Sequence, residues 1–131
     1  MLYEITLTRE TETAKGLLKQ VCERYIYDAM LVSECEAKCL EEYPECEVIG
    51  VNRSKIMEIV NENERDGAYY KGKITETITN DNGDESSRSY QILCNAKDLQ
   101  SATKIFLEYL KGTIEDATLD SVTKTKIVDI L

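Results

Sequence analysis

The sequence of 131 residues contains no histidine and no tryptophan, and it has a single proline and a single phenylalanine. Without histidine the chain lacks the usual general base near neutral pH, the imidazole ligand of zinc and haem, and the Ser-His-Asp and Cys-His catalytic arrangements. It also has no Walker loop, no GxGxxG motif and no GxSxG motif. These absences predict a protein that is not an enzyme and that uses no cofactor.

Long apolar runs are missing as well. No stretch approaches 18 consecutive apolar residues, and Met1-Leu2-Tyr3-Glu4 lacks the basic and apolar regions of a secretory signal. A hydrophobic content of 42% and a charged content of 31% are typical of a globular protein. We therefore expect a cytoplasmic protein without membrane contact.

Acidic residues exceed basic ones. The chain has 25 Asp and Glu against 16 Lys and Arg, which gives a formal net charge of −9. Nucleic-acid affinity begins with Lys and Arg neutralising phosphates, so a negative chain is repelled at long range. Simple solubility is the plainest explanation of the charge.

The five cysteines are odd in number and irregular in spacing: Cys22, Cys35, Cys39, Cys46 and Cys94. This pattern predicts free thiols in a reducing compartment. Cys35 and Cys39 would lie on one helix face with Cys46 beyond it, so a zinc site is the weaker alternative. Structural zinc usually takes four ligands in closely spaced pairs. The neighbouring Glu34 and Glu36 disfavour a thiolate and hence a catalytic cysteine.

Two segments of the chain are nearly the same. Val51–Ile59 and Val122–Ile130, at an offset of 71, share four identical pairs in nine and four conservative ones. Upstream, an offset of 67 pairs Tyr3 with Tyr70 and matches further residues in the same order. Several matches in one order predict an internal duplication.

Each copy has the same pattern of predicted elements. A first strand, a glycine-containing turn and a second strand of alternating apolar residues begin each copy. The turn at Asn80–Asp84 is typical of a hairpin, and it lacks the ligand spacing of a calcium loop. The predicted strands are Tyr3–Thr11, Lys19–Asp28, Tyr69–Thr79 and Ser87–Asn95.

A helix and a closing strand follow in each copy. Ser33 and Glu36 have the spacing of a capping box, and Asp98 is the expected cap of the second helix, with Gly112 at its C′ position. The closing strands are predicted over Val48–Val60 and Leu119–Leu131, with a bend in each.

The predicted fold is therefore α+β, with two tandem ββαβ units related by internal duplication and two helices packed on antiparallel sheet. We expect one domain of residues 1–131, made of repeats 1–60 and 68–131 with a polar joint at 61–67. A unit of three strands and one helix buries little, so we expect the copies to share one core about a pseudo-twofold axis.

Four features carry a resemblance to a known family: a tyrosine at the start of each first strand, Tyr25-Ile26-Tyr27-Asp28-Ala29, Lys111-Gly112-Thr113, and Thr125-Lys126-Ile127-Val128-Asp129. With them the chain resembles an uncharacterised family, catalogued as a domain of unknown function, of small proteins from Bacteroidota-type bacteria and their phages. Leu2 departs from the aromatic residue that members often carry there. The resemblance implies a small cytoplasmic or phage-encoded protein and assigns no activity and no site.

One face of the predicted sheet remains without a helix to cover it. Alternation places apolar side chains such as Ile5 and Ile74 on the helix-covered face. The opposite face carries three basic residues against one acid in an acidic chain, and its candidate interaction residues are Arg24, Lys71, Lys73 and Gln91.

Three functions compete on this basis. We expect first a non-enzymatic protein-interaction or assembly module, with Arg24 and Lys73 as anchors for self-association or for an acidic partner. Nucleic-acid binding through the open face is the alternative, and an enzyme that uses paired carboxylates alone is third. An ordinary solvated sheet surface is the plainest interpretation of the face.

Overall fold

The computed structural model describes residues 1–113 and 116–131, and it omits the side chain of Thr113. Within these residues the fold is α+β, with eight strands and two helices. The chain divides into two compact units. Unit 1 comprises Met1–Ser54 and Lys126–Leu131, and unit 2 comprises Lys55–Thr125.

Unit 1 is built on a sheet with the strand order β3-β1-β2-β8. Its members are β1 (Leu2–Glu12), β2 (Leu18–Asp28), β3 (Glu47–Arg53) and β8 (Ile127–Ile130). The first three strands are antiparallel, and β8 runs parallel to β2. The helix α1 (Val32–Glu42) belongs to the same unit.

Unit 2 repeats this plan with the strand order β4-β6-β5-β7. Its members are β4 (Ile56–Ile59), β5 (Ala68–Thr79), β6 (Glu85–Ala96) and β7 (Ala117–Lys124), together with the helix α2 (Leu99–Thr113). Here β4 runs parallel to β6. Each closing segment thus forms two strands rather than one bent strand.

The two repeats exchange their last strands. Strand β4 follows β3 in the sequence but pairs in unit 2, and β8 follows β7 but pairs in unit 1. The chain changes unit at Ser54-Lys55 and again at Thr125-Lys126. At both points a backbone N–H anchors the crossing, since Ser54 donates to the Leu2 carbonyl and Thr125 to the Tyr69 carbonyl, each at 2.9 Å.

The strand registers support the duplication. All pairs in the β1–β2 ladder recur in the β5–β6 ladder at the offset of 67. A bulge follows Thr6 in the β1–β3 ladder and Lys73 in the β5–β7 ladder, which is again a shift of 67. A duplicated sequence that also repeats its irregularities has repeated its backbone path.

Both hairpin turns use glycine in the left-handed region. Gly83 has φ +82°, and the Asn80 side chain accepts hydrogen bonds from the backbone N–H groups of Asn82 and Asp84 at 3.0 and 2.9 Å. Gly16, at φ +77°, occupies the equivalent place in the first hairpin. The predicted turn at Asn80–Asp84 is confirmed.

The helix ends differ in part from the sequence prediction. Asp98 caps α2 as expected, because its Oδ1 accepts from the Ser101 N–H at 2.7 Å, and this bond lowers the pKa of its carboxyl. The capping box at Ser33 is wrong, since α1 begins one residue earlier and its N-cap, Leu31, makes no side-chain cap bond. Gly112 as a C′ residue is also wrong, because α2 continues through it.

Two clusters of buried residues are present, one within each unit. The cluster of unit 1 contains Ile5, Leu7 and Tyr25 with the helix thiols Cys35 and Cys39. The cluster of unit 2 is formed by residues of β5, β6 and α2, namely Tyr70, Ile74, Tyr90, Ile92, Cys94, Ala96, Ala102, Phe106 and Leu110. Each helix packs on the sheet of its own unit, and each sheet gains a strand by exchange. The expectation of one shared core stays a prediction.

Candidate interaction face

Three of the four predicted face residues lie together in unit 2. On adjacent strands, Lys73 of β5 is directly opposite Gln91 of β6, and Lys71 lies two residues along β5 on the same face. Lys73 is exposed, whereas Lys71 and Gln91 are half-buried. We call Lys55, Lys71, Lys73 and Gln91 the lysine face, since Lys55 lines a pocket together with Lys73 and Gln91.

Arg24 lies in the other unit. It is on β2, opposite Thr6 of β1 and Ile127 of β8. Its guanidinium Nη1 is 3.6 Å from Oε1 of Glu4, and both side chains are partly exposed. The predicted anchor in unit 1 therefore already has a carboxylate beside it.

The face opposite the helices is not open along its whole length, which corrects the sequence expectation. Alternation also places Ile26 and Leu93 on this face, yet both are 0% exposed. Tyr69, on the same face of β5, is 2% exposed. Consecutive apolar residues such as Tyr25-Ile26-Tyr27 indicate burial on both faces of a strand. That signal was present in the sequence and was missed.

The buried residue Asn95 lies at one end of this face. Asn95 is 4% exposed, and its side chain both accepts from the Gly67 N–H at 2.8 Å and donates to the Gly67 carbonyl at 3.1 Å. The Asn61 side chain donates to the Asn95 carbonyl at 2.7 Å and accepts from the Asn95 N–H at 2.8 Å. Four hydrogen bonds thus fix the predicted joint against β6.

A shallow pocket lies beside Lys73. Its lining consists of Lys55, Lys73, Ser89, Tyr90 and Gln91. Lys55 comes directly before β4, whose first residue, Ile56, pairs with Gln91. Sequence reasoning missed Lys55 because it placed the residue inside a continuous strand, whereas the strand breaks there and the second part enters unit 2.

The hydroxyl groups next to the pocket are used internally. The Thr75 hydroxyl donates to a carboxylate oxygen of Asp120, and it lies 3.2 Å from the Ser89 hydroxyl. Because a hydroxyl has one proton, Ser89 must be the donor of the Ser89–Thr75 bond. Lys55, Lys73 and Gln91 therefore supply the side-chain donors on this face, since the Tyr90 side chain belongs to the core cluster on the helix-covered face.

The lysines of this face lie near one another. Within the part of the chain that the structure describes, Lys55, Lys71 and Lys73 form no ion pair with a carboxylate, and the same holds for lysines elsewhere, such as Lys104 and Lys111. What sets the three apart is their grouping, because Lys71 and Lys73 share one face of β5 and Lys55 lines a pocket with Lys73. Three positive charges thus lie together in unit 2, in a chain with a net charge of −9.

A second polar cluster lies in unit 1, where Arg9 forms an ion pair with Glu23. The guanidinium also lies 4.9 Å from the centre of the Tyr43 ring, and the Tyr25 hydroxyl contacts both Glu23 and Tyr43 at 3.2 Å. Burial, with the hydrogen bond to Tyr43, raises the pKa of Tyr25. These groups bond to one another, so the cluster stabilises unit 1.

Four of the five thiols are buried. Burial raises the pKa of Cys39 and of Cys94 to about 11 and also raises the pKa values of Cys35 and Cys46. The neutral thiol is the form that such a site favours, and the thiolate is the form that binds metal or attacks a substrate. Among residues 1–113 and 116–131 there is no group of three or more Cys, Asp or Glu side chains placed to hold a metal ion.

We expect the thiols to differ sharply in reactivity. Cys22 alone is exposed, so one thiol per chain should react rapidly with Ellman's reagent at pH 8, and the other four only on unfolding. Cys22→Ser should remove the rapid phase and leave the slow phase intact. A rapid phase of two or more thiols would contradict the burial of the helix and strand cysteines.

No helix within the described residues is long and apolar enough to cross a membrane.

Comparison with known proteins adds little about activity. No curated protein matches the chain, and no solved structure matches it. A protein-family model does match, and it spans residues 1–131.

Proposed function

The chain belongs to the family described as Domain of unknown function (DUF4494), and from this premise, which assigns no activity, we propose that it is a non-enzymatic interaction module that binds an acidic protein segment through the lysine face. The observation that carries the proposal is the grouping of Lys55, Lys71 and Lys73, none of them ion-paired among the described residues, in an acidic chain. Complementary charge steers such partners together and fixes their orientation.

Three features of the face suit a protein partner. Lys73 is exposed, Gln91 supplies an amide that can both donate and accept, and Leu93 and Tyr69 beside them are buried, which gives the lysines a rigid base. Rigid placement reduces the entropy lost when a long side chain is immobilised by a partner. A cytoplasmic location and a bacterial or phage origin belong to the same proposal.

Charge reversal on the face tests this function. Lys71→Glu with Lys73→Glu should abolish the recovery of specific partners in a pull-down from the native host, because it replaces two attractive charges with two repulsive ones. Lys104→Glu with Lys111→Glu on α2 changes the net charge equally and should preserve recovery. Loss with both variants, or with neither, would contradict the assignment of the face.

Arg24→Glu serves as a separate probe. Arg24 already lies beside Glu4, so its reversal should weaken partner recovery less than reversal of Lys71 and Lys73. An equal or larger effect would place the interaction in unit 1 instead.

The same surface makes nucleic acid the alternative ligand, and salt separates the two. A contact with 6–10 phosphates loses about 10³–10⁵ in affinity between 50 and 200 mM salt, through counterion release. Binding that involves two or three lysines and a protein partner should weaken by less than about tenfold over the same range. The steep dependence would favour the nucleic-acid function.

A further inference from the structure

We propose that the pocket beside Lys55 and Lys73 binds a single carboxylate, supplied by the acidic partner, an inference that rests on the proposed function. Two ammonium groups and one amide N–H₂ are available at the pocket from Lys55, Lys73 and Gln91. A carboxylate presents two oxygens and accepts several hydrogen bonds, and charged donors form the stronger ones.

Unit 1 contains the internal counterpart of this arrangement. At the equivalent place, Lys126 stands before β8 as Lys55 stands before β4. The neighbouring cation is Arg24, which takes the position of Gln91 at the offset of 67, while Thr6 takes that of Lys73. There, Glu4 of β1 brings a carboxylate oxygen to 3.6 Å from the Arg24 guanidinium. Both repeats thus place two cations where an exchanged strand enters the sheet, and the first repeat supplies the anion itself.

Unit 2 lacks this built-in anion because the corresponding residue is reversed in charge. The position of Glu4 is taken in the second repeat by Lys71, which points the same way from the same register of the sheet. On the neighbouring strand β7, the Asp120 carboxylate accepts hydrogen bonds from the hydroxyl groups of Thr75 and Thr118. A carboxylate from another molecule would therefore provide in unit 2 the anion that Glu4 provides in unit 1.

The size and charge of the pocket favour one carboxylate over a chain of phosphates. Two cations compensate one anion fully, whereas a nucleic acid would need an extended row of them. The net charge of −9 opposes the approach of a polyanion and has a much smaller effect on one side chain.

The test is a titration of the full-length protein, labelled with ¹⁵N, with the peptide acetyl-Glu-Glu-Glu-amide. We expect saturable shifts of the Gln91 side-chain amide and of the backbone amides of Lys73 and Ser89, because these groups border the pocket. Acetyl-Gln-Gln-Gln-amide should cause no saturable shift, since it lacks the charge. Inorganic phosphate serves as the third probe.

Variants identify the groups that hold the peptide. Lys55→Gln and Lys73→Gln should each weaken binding of the glutamate peptide by about threefold to fivefold, the range for one partly exposed charge pair. Lys104→Gln removes the same charge from the outer side of α2 and should change binding by less than a factor of two. Ser89→Ala should also have little effect, because the Ser89 proton already bonds to Thr75.

Each result of these measurements either supports or overturns the proposed carboxylate site. Equal binding of the glutamine peptide, tighter binding of phosphate than of the glutamate peptide, or unchanged affinity in both lysine variants would overturn it. Loss of partner recovery on reversal of Lys71 and Lys73, combined with no peptide binding in the pocket, would overturn the pocket alone and leave the proposed function standing. Retained partner recovery in that reversal would remove the proposed function itself.

Discussion

Gly67→Ala should destabilise the protein by about 3 kcal/mol or more, the upper end of the range for overpacking. A Cβ added at Gly67 would lie 2.2 Å from the carbonyl oxygen of Ala96 and 2.4 Å from its carbonyl carbon. Both atoms are backbone of β6, so no side chain can rotate away. Relief requires movement of Gly67, and this movement would break its two hydrogen bonds with the buried Asn95.

Gly112→Ala is the matched control. A Cβ there meets nothing within 4 Å, and the residue lies inside α2. Because alanine is favoured over glycine in a helix, this variant should gain about 0.5–1 kcal/mol. Urea denaturation monitored by circular dichroism measures both changes. A loss below about 1 kcal/mol for Gly67→Ala would mean that the joint does not pack against Ala96 as described.

Phe106→Ala should cost about 3–5 kcal/mol, the usual range for removing a buried phenylalanine. Phe106 is the only phenylalanine of the chain, is 0% exposed and lies in the core cluster of unit 2. The substitution leaves a cavity between α2 and β5, which the surrounding strands cannot fill without breaking their ladders. Leu107→Ala, on the exposed side of the same helix, should cost less than about 1 kcal/mol.

A double-mutant cycle makes this prediction specific. A Cβ at Gly72 would lie 3.0 Å from two carbon atoms of the Phe106 ring, so Gly72→Ala alone should cost about 1–3 kcal/mol. With Phe106→Leu already in place the ring is gone, and the cost of Gly72→Ala should fall by at least about half. Additive costs would show that the glycine is required for another reason.

Much of the secondary structure could be predicted because it depends on local patterns. Alternating apolar residues and a glycine turn specify each hairpin, and β1 (Leu2–Glu12) extends the predicted Tyr3–Thr11 by one residue at each end. The duplication was visible for the same reason, since equal sequences give equal registers. The helix ends were harder to predict. A serine at the spacing of a capping box does not show that the helix begins one residue before that serine.

The exchange of strands could not be predicted from these patterns. Strands β4 and β8 both have isoleucine at their first and last positions, so either would fit the acceptor strand of either sheet. Periodicity gives the face of a strand and says nothing about which partner it joins. Short strands with the same apolar pattern do not specify locally which sheet each of them joins.

The candidate site could be predicted from the sequence only where it depends on the alternation of residues along one strand. Alternation placed Lys71, Lys73 and Gln91 on one face, and their registers agree with this. It also grouped Arg24 with them, although Arg24 lies on a strand of the other unit and beside Glu4. Lys55 could not be predicted, because its position beside Gln91 depends on which sheet β4 joins. The choice of sheet is a tertiary property. Whether these residues bind a partner stays a prediction.

The exchanged strands have a consequence for how the fold could have arisen. A chain of one repeat that kept this exchange would pair its closing strand with the acceptor edge of a second such chain, and that chain would return its own closing strand. Joining two repeats through residues 61–67 turns that association of two molecules into a contact within one, at an effective concentration in the millimolar range. The stability of the fused chain then no longer depends on protein concentration, whereas that of its unfused halves would. Fusion also freed the two copies to differ, so that a carboxylate could stay at Glu4 while its counterpart became Lys71.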